Sequence, residues 1–121
     1  MTAWTWIGVA AVGGLGAVAR FVLDRLVSSR VRSELPFGTF VINVSGAFLL
    51  GLLDGLALSG NAMILAGTAT LGAYTTFSTW MLETQRLAED GEFALGLVNV
   101  MASVAVGFGA VALGHLIGVH A

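Results

Sequence analysis

A hydroxyl-rich stretch at residues 72–83, GAYTTFSTWMLE, decides the fold of this chain. Five hydroxyl side chains occupy six consecutive positions within it: Tyr74, Thr75, Thr76, Ser78 and Thr79. On a regular helix in lipid some of these hydroxyls would lack hydrogen-bond partners, so the stretch predicts a helix that breaks between about residues 72 and 79. The alternative is a continuous helix whose hydroxyls bond back to carbonyls of the preceding turn.

The composition on both sides of this stretch is typical of a membrane protein. Of the 121 residues, 57% are hydrophobic and 10% are charged, against about 25% charged residues in soluble domains. The mean hydropathy is +0.93. The absence of cysteine excludes disulfides, and no basic stripe of the kind that nucleic-acid binding requires is present. We expect one transmembrane domain over residues 1–121.

Four apolar segments are long enough to cross a bilayer, which takes about 20 residues. They cover about residues 4–27, 37–58, 62–87 and 93–118. The start of the chain lacks the basic region of a signal peptide, so we expect a retained helix that begins with the interfacial Trp4 and Trp6. The predicted fold class is an all-α membrane protein with four transmembrane helices joined by short loops, the third helix being broken.

The arginines are distributed unevenly along the chain. Four of the five lie at or next to the first and third predicted loops: Arg25, Arg30, Arg32 and Arg86. The N-terminus, the second loop and the C-terminus carry no Lys or Arg. Because cytoplasmic loops are enriched in these residues, we expect loops one and three in the cytoplasm, both termini outside, and a multi-pass protein of the plasma (inner) membrane.

Glycines at four-residue spacing occur in the second and fourth segments, as Gly51 with Gly55 and Gly114 with Gly118. In lipid, such pairs allow helix backbones to approach closely. We expect them to pack helices within the bundle, and a dedicated dimer seam is the alternative. Four helices enclose too little space for a pathway, which favours an oligomer.

Arg20 and Asn43 are polar residues within the first and second predicted membrane helices. Arg20 is either functional, as ionisable residues at this depth usually are, or extends to the interface beside Asp24. Asn43 shares a helix face with Thr39, four residues earlier, and the two form a polar line that favours an ion pathway. An interhelical hydrogen bond that clamps the bundle is the alternative for Asn43.

Aromatic and polar side chains continue beyond the hydroxyl cluster. Phe77 and Trp80 lie three residues apart, and a ring edge carries partial positive charge that suits a weak anion site, although plain packing is the alternative. On the fourth segment, Asn99 and Ser103 form a second polar line at four-residue spacing. Glu83 follows Trp80 by one turn and belongs either to the pathway or to a solvated helix end.

Three motifs carry a resemblance to a known family: GGLGAVARF at residues 13–21, GTFVINVSGAF at 38–48 and LGAYTTFSTW at 71–80. With these motifs in this order, the chain resembles the Fluc (CrcB) fluoride channel family along nearly its whole length. The resemblance implies an antiparallel, dual-topology-type dimer with two fluoride pathways and a structural sodium ion at the dimer interface. It implies passive export of fluoride, which reduces the cytoplasmic fluoride concentration, and no enzymatic activity.

The resemblance also implies roles for individual residues. The main-chain carbonyls of Gly72 and Thr75 would bind the sodium ion. Asn43 would donate a hydrogen bond to fluoride, Phe77 would turn its ring edge to the ion, and Arg20 would attract it at a vestibule. The full implied pathway comprises Arg20, Thr39, Asn43, Thr76, Phe77, Ser78, Trp80, Glu83 and Ser103.

Two features depart from the family pattern. The family usually has a second Phe where this chain has Trp80, which is larger and carries an N–H donor. In addition, a homodimer of this kind needs a chain that inserts in both orientations, whereas the arginine distribution indicates one fixed orientation. We therefore expect this chain, surrounded by lipid, to pair with a related chain of opposite bias in a heterodimer rather than a homodimer.

Other classes of function fit the sequence less well. A small multidrug-type four-helix exporter needs a carboxylate in the core of its first helix, where this chain has Arg20, with Asp24 near the helix end. A non-transporting membrane assembly subunit would not need the polar side chains of the second to fourth segments. For an intramembrane enzyme, neither His115 nor His120 lies near a plausible nucleophile in the sequence.

Overall fold

The computed structural model describes residues 2–121, and every regular element within that range is helical. The α-helices are α1 (Ala3–Arg30), α2 (Phe37–Gly55), α3 (Gly60–Met63), α4 (Gly72–Tyr74), α5 (Ser78–Glu89) and α6 (Phe93–Val119). A π-helical stretch, Ile64–Leu71, joins α3 to α4. Three of the helices, α1, α2 and α6, are long and apolar enough to cross a membrane. The all-helical fold class is thus confirmed for the described residues.

The first helix, α1, begins and ends at polar residues. The Thr5 N–H donates to Thr2 Oγ1 at 3.2 Å, so Thr2 caps the first turn. The helix continues to Arg30, past the predicted boundary at residue 27, and the Ser29 hydroxyl donates to the Leu26 carbonyl at 2.9 Å within this extension. Apolar length therefore underestimated α1, because the helical backbone extends past the membrane-like part of the sequence.

The second and last helices, α2 and α6, pack backbone to backbone along a glycine seam, formed by Gly51, Gly55, Gly114 and Gly118. A Cβ placed on Gly114 would overlap the carbonyl oxygen of Phe48, and one on Gly51 would overlap that of Val111. Only glycine permits this distance between the two helices. The prediction that these glycines pack helices within the bundle is confirmed.

The end of α2 was predicted too late. The helix ends at Gly55 rather than at residue 58, because Ala57 adopts a left-handed backbone with φ of 58°. An L-residue in that conformation cannot continue a right-handed helix. Gly60, with φ of 60°, then starts α3, so the second connection is slightly longer than the sequence indicated.

The third predicted segment consists of several helical pieces. In its π-helical part the Thr70 hydroxyl donates to the carbonyl of Leu65, five residues earlier, at 2.7 Å. Gly16 of α1 lies directly against the Thr70 carbonyl, so α1 and the π-helical stretch also pack backbone to backbone. Regular structure then stops after Tyr74 and resumes at Ser78, and Thr75 has an extended backbone with ψ of 160°.

Very little of this chain is buried in an apolar core. Ile42 is the only large side chain less than 2% exposed among residues 2–121. Large apolar side chains instead cover the outer faces of α1 and α6, such as Leu15, which is 67% exposed, and Leu97, which is 61% exposed. Such surfaces are stable against lipid tails or against another apolar chain, and they agree with a membrane protein.

The two ends of the helical bundle carry different polar groups. The first loop and the last turns of α5 border one cavity of about 440 Å³, whose lining includes Arg32 and Arg86. Elsewhere on the bundle, where α2 and α6 approach their C-termini, Asp54 Oδ2 lies 3.0 Å from His115 Nδ1. The arginine-bearing first and third loops therefore lie together, as the hairpin arrangement requires.

Candidate functional site

The interruption between α4 and α5 is held by the side chain of Asn43, which projects from α2. The Thr76 N–H donates to Asn43 Oδ1 at 2.8 Å, and Asn43 Nδ2 donates to the Thr76 carbonyl at 2.8 Å. The side-chain amide thus pairs with the Thr76 backbone as a neighbouring strand would, and the two bonds determine which end of the amide carries oxygen. The second Nδ2 proton has no partner among residues 2–121 and can serve a ligand.

The side chain of Thr76 caps the helix that follows the interruption. Its hydroxyl oxygen accepts the Thr79 N–H at 3.2 Å and donates its own proton to Thr79 Oγ1 at 3.2 Å. This is the usual N-terminal capping arrangement, in which a threonine oxygen satisfies a backbone donor of the first turn. Thr76 is buried, whereas Ser78, whose Oγ lies 3.5 Å from Thr76 Oγ1, is exposed.

Two carbonyls of the interruption lose the donors that a continuous helix would supply. The Gly72 carbonyl would accept from the Thr76 N–H, but that N–H is bound to Asn43. The Thr75 carbonyl would accept from the Thr79 N–H, but that N–H is bound to the Thr76 hydroxyl. Gly72 and Thr75 are the residues that the family resemblance assigned to sodium. Backbone oxygens freed in this way are suitable ligands for a hard cation.

The aromatic residues Phe77 and Trp80 form an edge-to-face pair beside the interruption. Their ring centroids are 5.8 Å apart and their planes meet at 77°. Phe77 is 69% exposed although it directly follows the buried Thr76. Both rings, together with Asn43, line an open and mostly apolar groove of about 550 Å³. The Phe77 and Trp80 rings and the Asn43 amide thus border the same groove.

On the other side of Thr76, a smaller cavity of about 200 Å³ contains Arg20. Thr39, which is only 2% exposed, and Asp24 line the same cavity. No carboxylate lies within 4.0 Å of the Arg20 guanidinium in the described part of the chain, so Arg20 and Asp24 form no ion pair there. Arg20 is therefore available to an anion that enters this cavity.

Glu83 lies in the middle of α5, close to Thr39. Thr39, Asp24 and Arg86 are the groups close enough to act on its carboxylate. Its Oε1 atom is buried and has no hydrogen-bond partner within residues 2–121. The Glu83 carboxylate is thus adjacent to Thr39 and lines the same cavity as Arg32 and Arg86.

Ser103 of α6 is not joined to the Asn43–Thr76 group by any hydrogen bond. Its hydroxyl oxygen is buried and unpartnered in the described chain. A buried hydroxyl without a partner is costly unless a ligand, water or second chain completes it. The other predicted pathway residues lie on α1, α2, the interruption and α5, and Ser103 lies separately on α6.

Thr84 was not predicted as a site residue, and Asn99 was left outside the implied pathway. Asn99 is 5% exposed, and its Nδ2 donates to Thr84 Oγ1 at 2.9 Å. The four-residue spacing from Trp80 to Thr84 was a usable signal, because it places both on one helix face. Which residue of α6 met that face could not be known without the tertiary structure.

Fold and site together define an all-helical membrane protein organised around an interrupted, hydrogen-bonded segment. Residues 7–115 match the family model described as CrcB-like protein, Camphor Resistance (CrcB), so the chain belongs to the CrcB family. The chain is 52% identical over 117 residues to the "Fluoride-specific ion channel FluC 2" of Mycobacterium tuberculosis, with 97% of this chain and 93% of the relative covered.

Two further relatives are similar over most of their length. The "Fluoride-specific ion channel FluC 2" of Mycolicibacterium paratuberculosis is 55% identical over 114 residues, which is 94% of this chain and 93% of the relative. The "Fluoride-specific ion channel FluC 1" of Nocardia farcinica is 45% identical over 106 residues, covering 87% of this chain and 75% of the relative.

Proposed function

We propose that this chain is a subunit of a fluoride-selective channel that exports fluoride passively and lowers its cytoplasmic concentration, rather than an enzyme. Membership of the CrcB family and the printed names of the relatives support this proposal. The observation that carries it is the Asn43–Thr76 pairing, which leaves one amide N–H and the exposed Phe77 ring beside an open groove.

The chemistry of these groups suits fluoride. Fluoride is small and strongly hydrated, so a selective pathway has to replace its water with closely spaced hydrogen-bond donors. The spare Asn43 N–H and the hydroxyl of Ser78 supply donors, and the Phe77 edge supplies a weaker positive site. A weak site matters because an ion bound too tightly would not leave.

The other pathway residues extend this route on both sides of the interruption. Arg20 attracts the anion into its cavity, where Thr39 and the capping Thr76 lie. Glu83 stands at the cytoplasmic end, and the unpartnered hydroxyl of Ser103 joins the route when the second chain is present. Trp80 forms part of the wall against which Phe77 packs.

A sodium ion bound by the Gly72 and Thr75 carbonyls would complete the interruption structurally. The donors of both carbonyls are diverted, and a Cβ placed on Gly72 would meet nothing within 4 Å, so a second chain can approach closely there. Two carbonyls from each chain would give a symmetric set of oxygens at the dimer interface. When bound, the cation would neutralise carbonyl dipoles that otherwise face apolar surroundings.

The proposed assembly is an antiparallel heterodimer in the plasma (inner) membrane. We take the pieces from α3 to α5 as the third of four membrane crossings, with both termini outside and the arginine-bearing loops in the cytoplasm. The shared cavity of Arg32 and Arg86 supports this orientation. Relatives whose names are numbered FluC 1 and FluC 2 agree with a related partner chain.

The test is fluoride efflux from liposomes, measured with a fluoride electrode and with chloride efflux as the selectivity control. The chain is reconstituted alone and together with a family member of opposite arginine bias. We expect fluoride efflux without chloride efflux, and only in the mixed preparation. Efflux from the chain alone would contradict the heterodimer, and absence of efflux from both preparations would contradict the channel.

A matched pair of variants tests the site itself. Phe77→Leu removes a ring that is 69% exposed at the interruption, whereas Phe93→Leu removes one that is 71% exposed at the start of α6. We expect Phe77→Leu to reduce fluoride efflux more than tenfold and Phe93→Leu to leave it unchanged. Equal effects of the two substitutions would show that the Phe77 ring has no special role.

A further inference from the structure

Trp80 is tied to α6 by a closed loop of hydrogen bonds that the proposed pathway does not explain. Its indole Nε1–H donates to the Asn99 carbonyl at 3.5 Å. Asn99 Nδ2 donates to Thr84 Oγ1 at 2.9 Å, and the Thr84 hydroxyl donates to the Trp80 carbonyl at 2.8 Å. Each of the three residues is therefore bonded to the other two.

The proton positions within this loop follow from the chemistry of the groups. Thr84 has one hydroxyl proton, which goes to the Trp80 carbonyl, so its oxygen must accept from Asn99. Asn99 is 5% exposed, and an unpaired amide at such a position would be destabilising. Among residues 2–121, Thr84 is thus the only side chain that both bonds the buried Asn99 amide and contacts the Trp80 backbone.

The loop determines what Trp80 presents to the groove. Because the indole N–H is directed at the α6 backbone, it is withheld from the groove, and the ring meets Phe77 edge to face. A Phe at this position would present a ring without any N–H. Because the loop occupies the indole N–H, Trp80 presents only its aromatic ring to the groove, as a Phe would.

We propose that Thr84 and Asn99 are positioning residues that hold the Trp80 ring at the fluoride pathway and keep its N–H away from the anion. This inference rests on the proposed function. Without the loop, the indole would be free to turn its donor into the groove, where a strong additional donor would retain fluoride. The mobile ring would also leave Phe77 without its fixed partner. Both effects slow fluoride passage.

The experiment uses a background in which Trp80 is the sole tryptophan, made by Trp4→Phe and Trp6→Phe, which are 81% and 61% exposed. In it, Thr84→Val removes the hydroxyl at constant shape and Thr84→Ser retains it. Thr5→Val is the control, because Thr5 is a buried threonine whose hydroxyl bonds only near the start of α1, 3.1 Å from Thr2 Oγ1. The fluorescence anisotropy of Trp80 is measured on this chain, and fluoride efflux is measured in the mixed preparation with the family member of opposite arginine bias.

We expect Thr84→Val to lower the anisotropy of Trp80 and to slow fluoride efflux about fivefold, the effect of one lost hydrogen bond. Thr84→Ser should restore both quantities, and Thr5→Val should change neither. When Trp80→Phe is already present, Thr84→Val should change efflux less than twofold, because no indole N–H is left to withhold.

Three results would overturn the inference. These are an unchanged anisotropy in Thr84→Val, an unchanged efflux in that variant, and an equal loss of efflux when Trp80→Phe is already present, which would make Thr84 merely structural. Failure of the proposed function is distinguishable from these. If no variant and no unaltered protein conducted fluoride while the anisotropy still responded, the channel proposal would fail, and the transport role of the loop with it.

Discussion

In a membrane, every backbone polar group needs a hydrogen-bond partner, and the glycine seam and the interruption at Thr75–Phe77 meet this requirement in opposite ways. Along the seam, α2 and α6 are regular helices whose backbone groups bond within each helix, so the surfaces that meet are inert and small. At the interruption, the backbone leaves the helix and side chains supply its partners, as Asn43 and the Thr76 hydroxyl do.

The contrast shows where the protein has polar groups free to bind an ion. A seam in which every polar group is bonded internally has nothing to offer an ion, however closely the helices approach. The interruption exposes carbonyls and donors because its bonds are made by side chains from elsewhere. Close packing on one side of α2 holds the helix from which Asn43 reaches across to Thr76 on the other.

The largest effect is expected from breaking the seam. Gly114→Val places a branched side chain where even a Cβ would overlap the Phe48 carbonyl, so α2 and α6 have to separate. We expect loss of folded, monodisperse protein in detergent by size-exclusion chromatography. Gly109→Val on the same helix is the control, because nothing lies within 4 Å of a Cβ at Gly109. Equal behaviour of the two variants would show that α6 does not depend on close approach.

The next effect is expected from removing the side-chain partner of the interruption. Asn43→Leu leaves both the N–H and the carbonyl of Thr76 unpaired, at a cost of about 2–6 kcal/mol in the free energy of unfolding. Equilibrium unfolding in detergent measures the loss, and fluoride efflux should disappear with it. Asn61→Leu, at an exposed position in α3, should leave both unchanged. A normal stability for Asn43→Leu would mean that the interruption does not need Asn43.

A smaller effect is expected from withholding the proposed cation. Purification with N-methylglucamine in place of sodium should reduce thermal stability of the assembled dimer, because a bound ion stabilises the folded state by about 2.7 kcal/mol at 100 times its dissociation constant. Restored sodium should reverse the change, and an equal concentration of N-methylglucamine chloride should not. Identical melting in both salts would argue against a sodium site at Gly72 and Thr75.

The smallest effect is expected from the cap of α5. Thr76→Val removes the oxygen that accepts the Thr79 N–H, and loss of such a cap costs about 1 kcal/mol in the free energy of unfolding. Thr76→Ser keeps the oxygen and should behave as the unaltered protein in the same unfolding measurement. If serine and valine were equally destabilising, packing of the threonine methyl rather than capping would explain the effect.

Local patterns in the sequence were sufficient for much of this description. Apolar length located α1, α2 and α6, and the excess of hydroxyls over residues 74–79 pointed to the place where regular structure stops after Tyr74. Glycine spacing identified the seam, because a residue without a side chain allows close backbone approach in any helix. Asn43 was recognisable as a residue that needs a partner, because an amide at membrane depth requires a hydrogen bond.

The partners themselves were decided by the tertiary structure. Nothing local to Asn43 indicates that its amide pairs with Thr76, 33 residues away, or that Asn99 meets Thr84 rather than a ligand. The end of α2 at Gly55 also depended on the left-handed Ala57, which no composition rule favours. The sequence alone determined which groups require hydrogen bonds, because that is a property of each residue in lipid. Only the packing of the helices decided which groups satisfy them, because each bond joins segments that are distant along the chain.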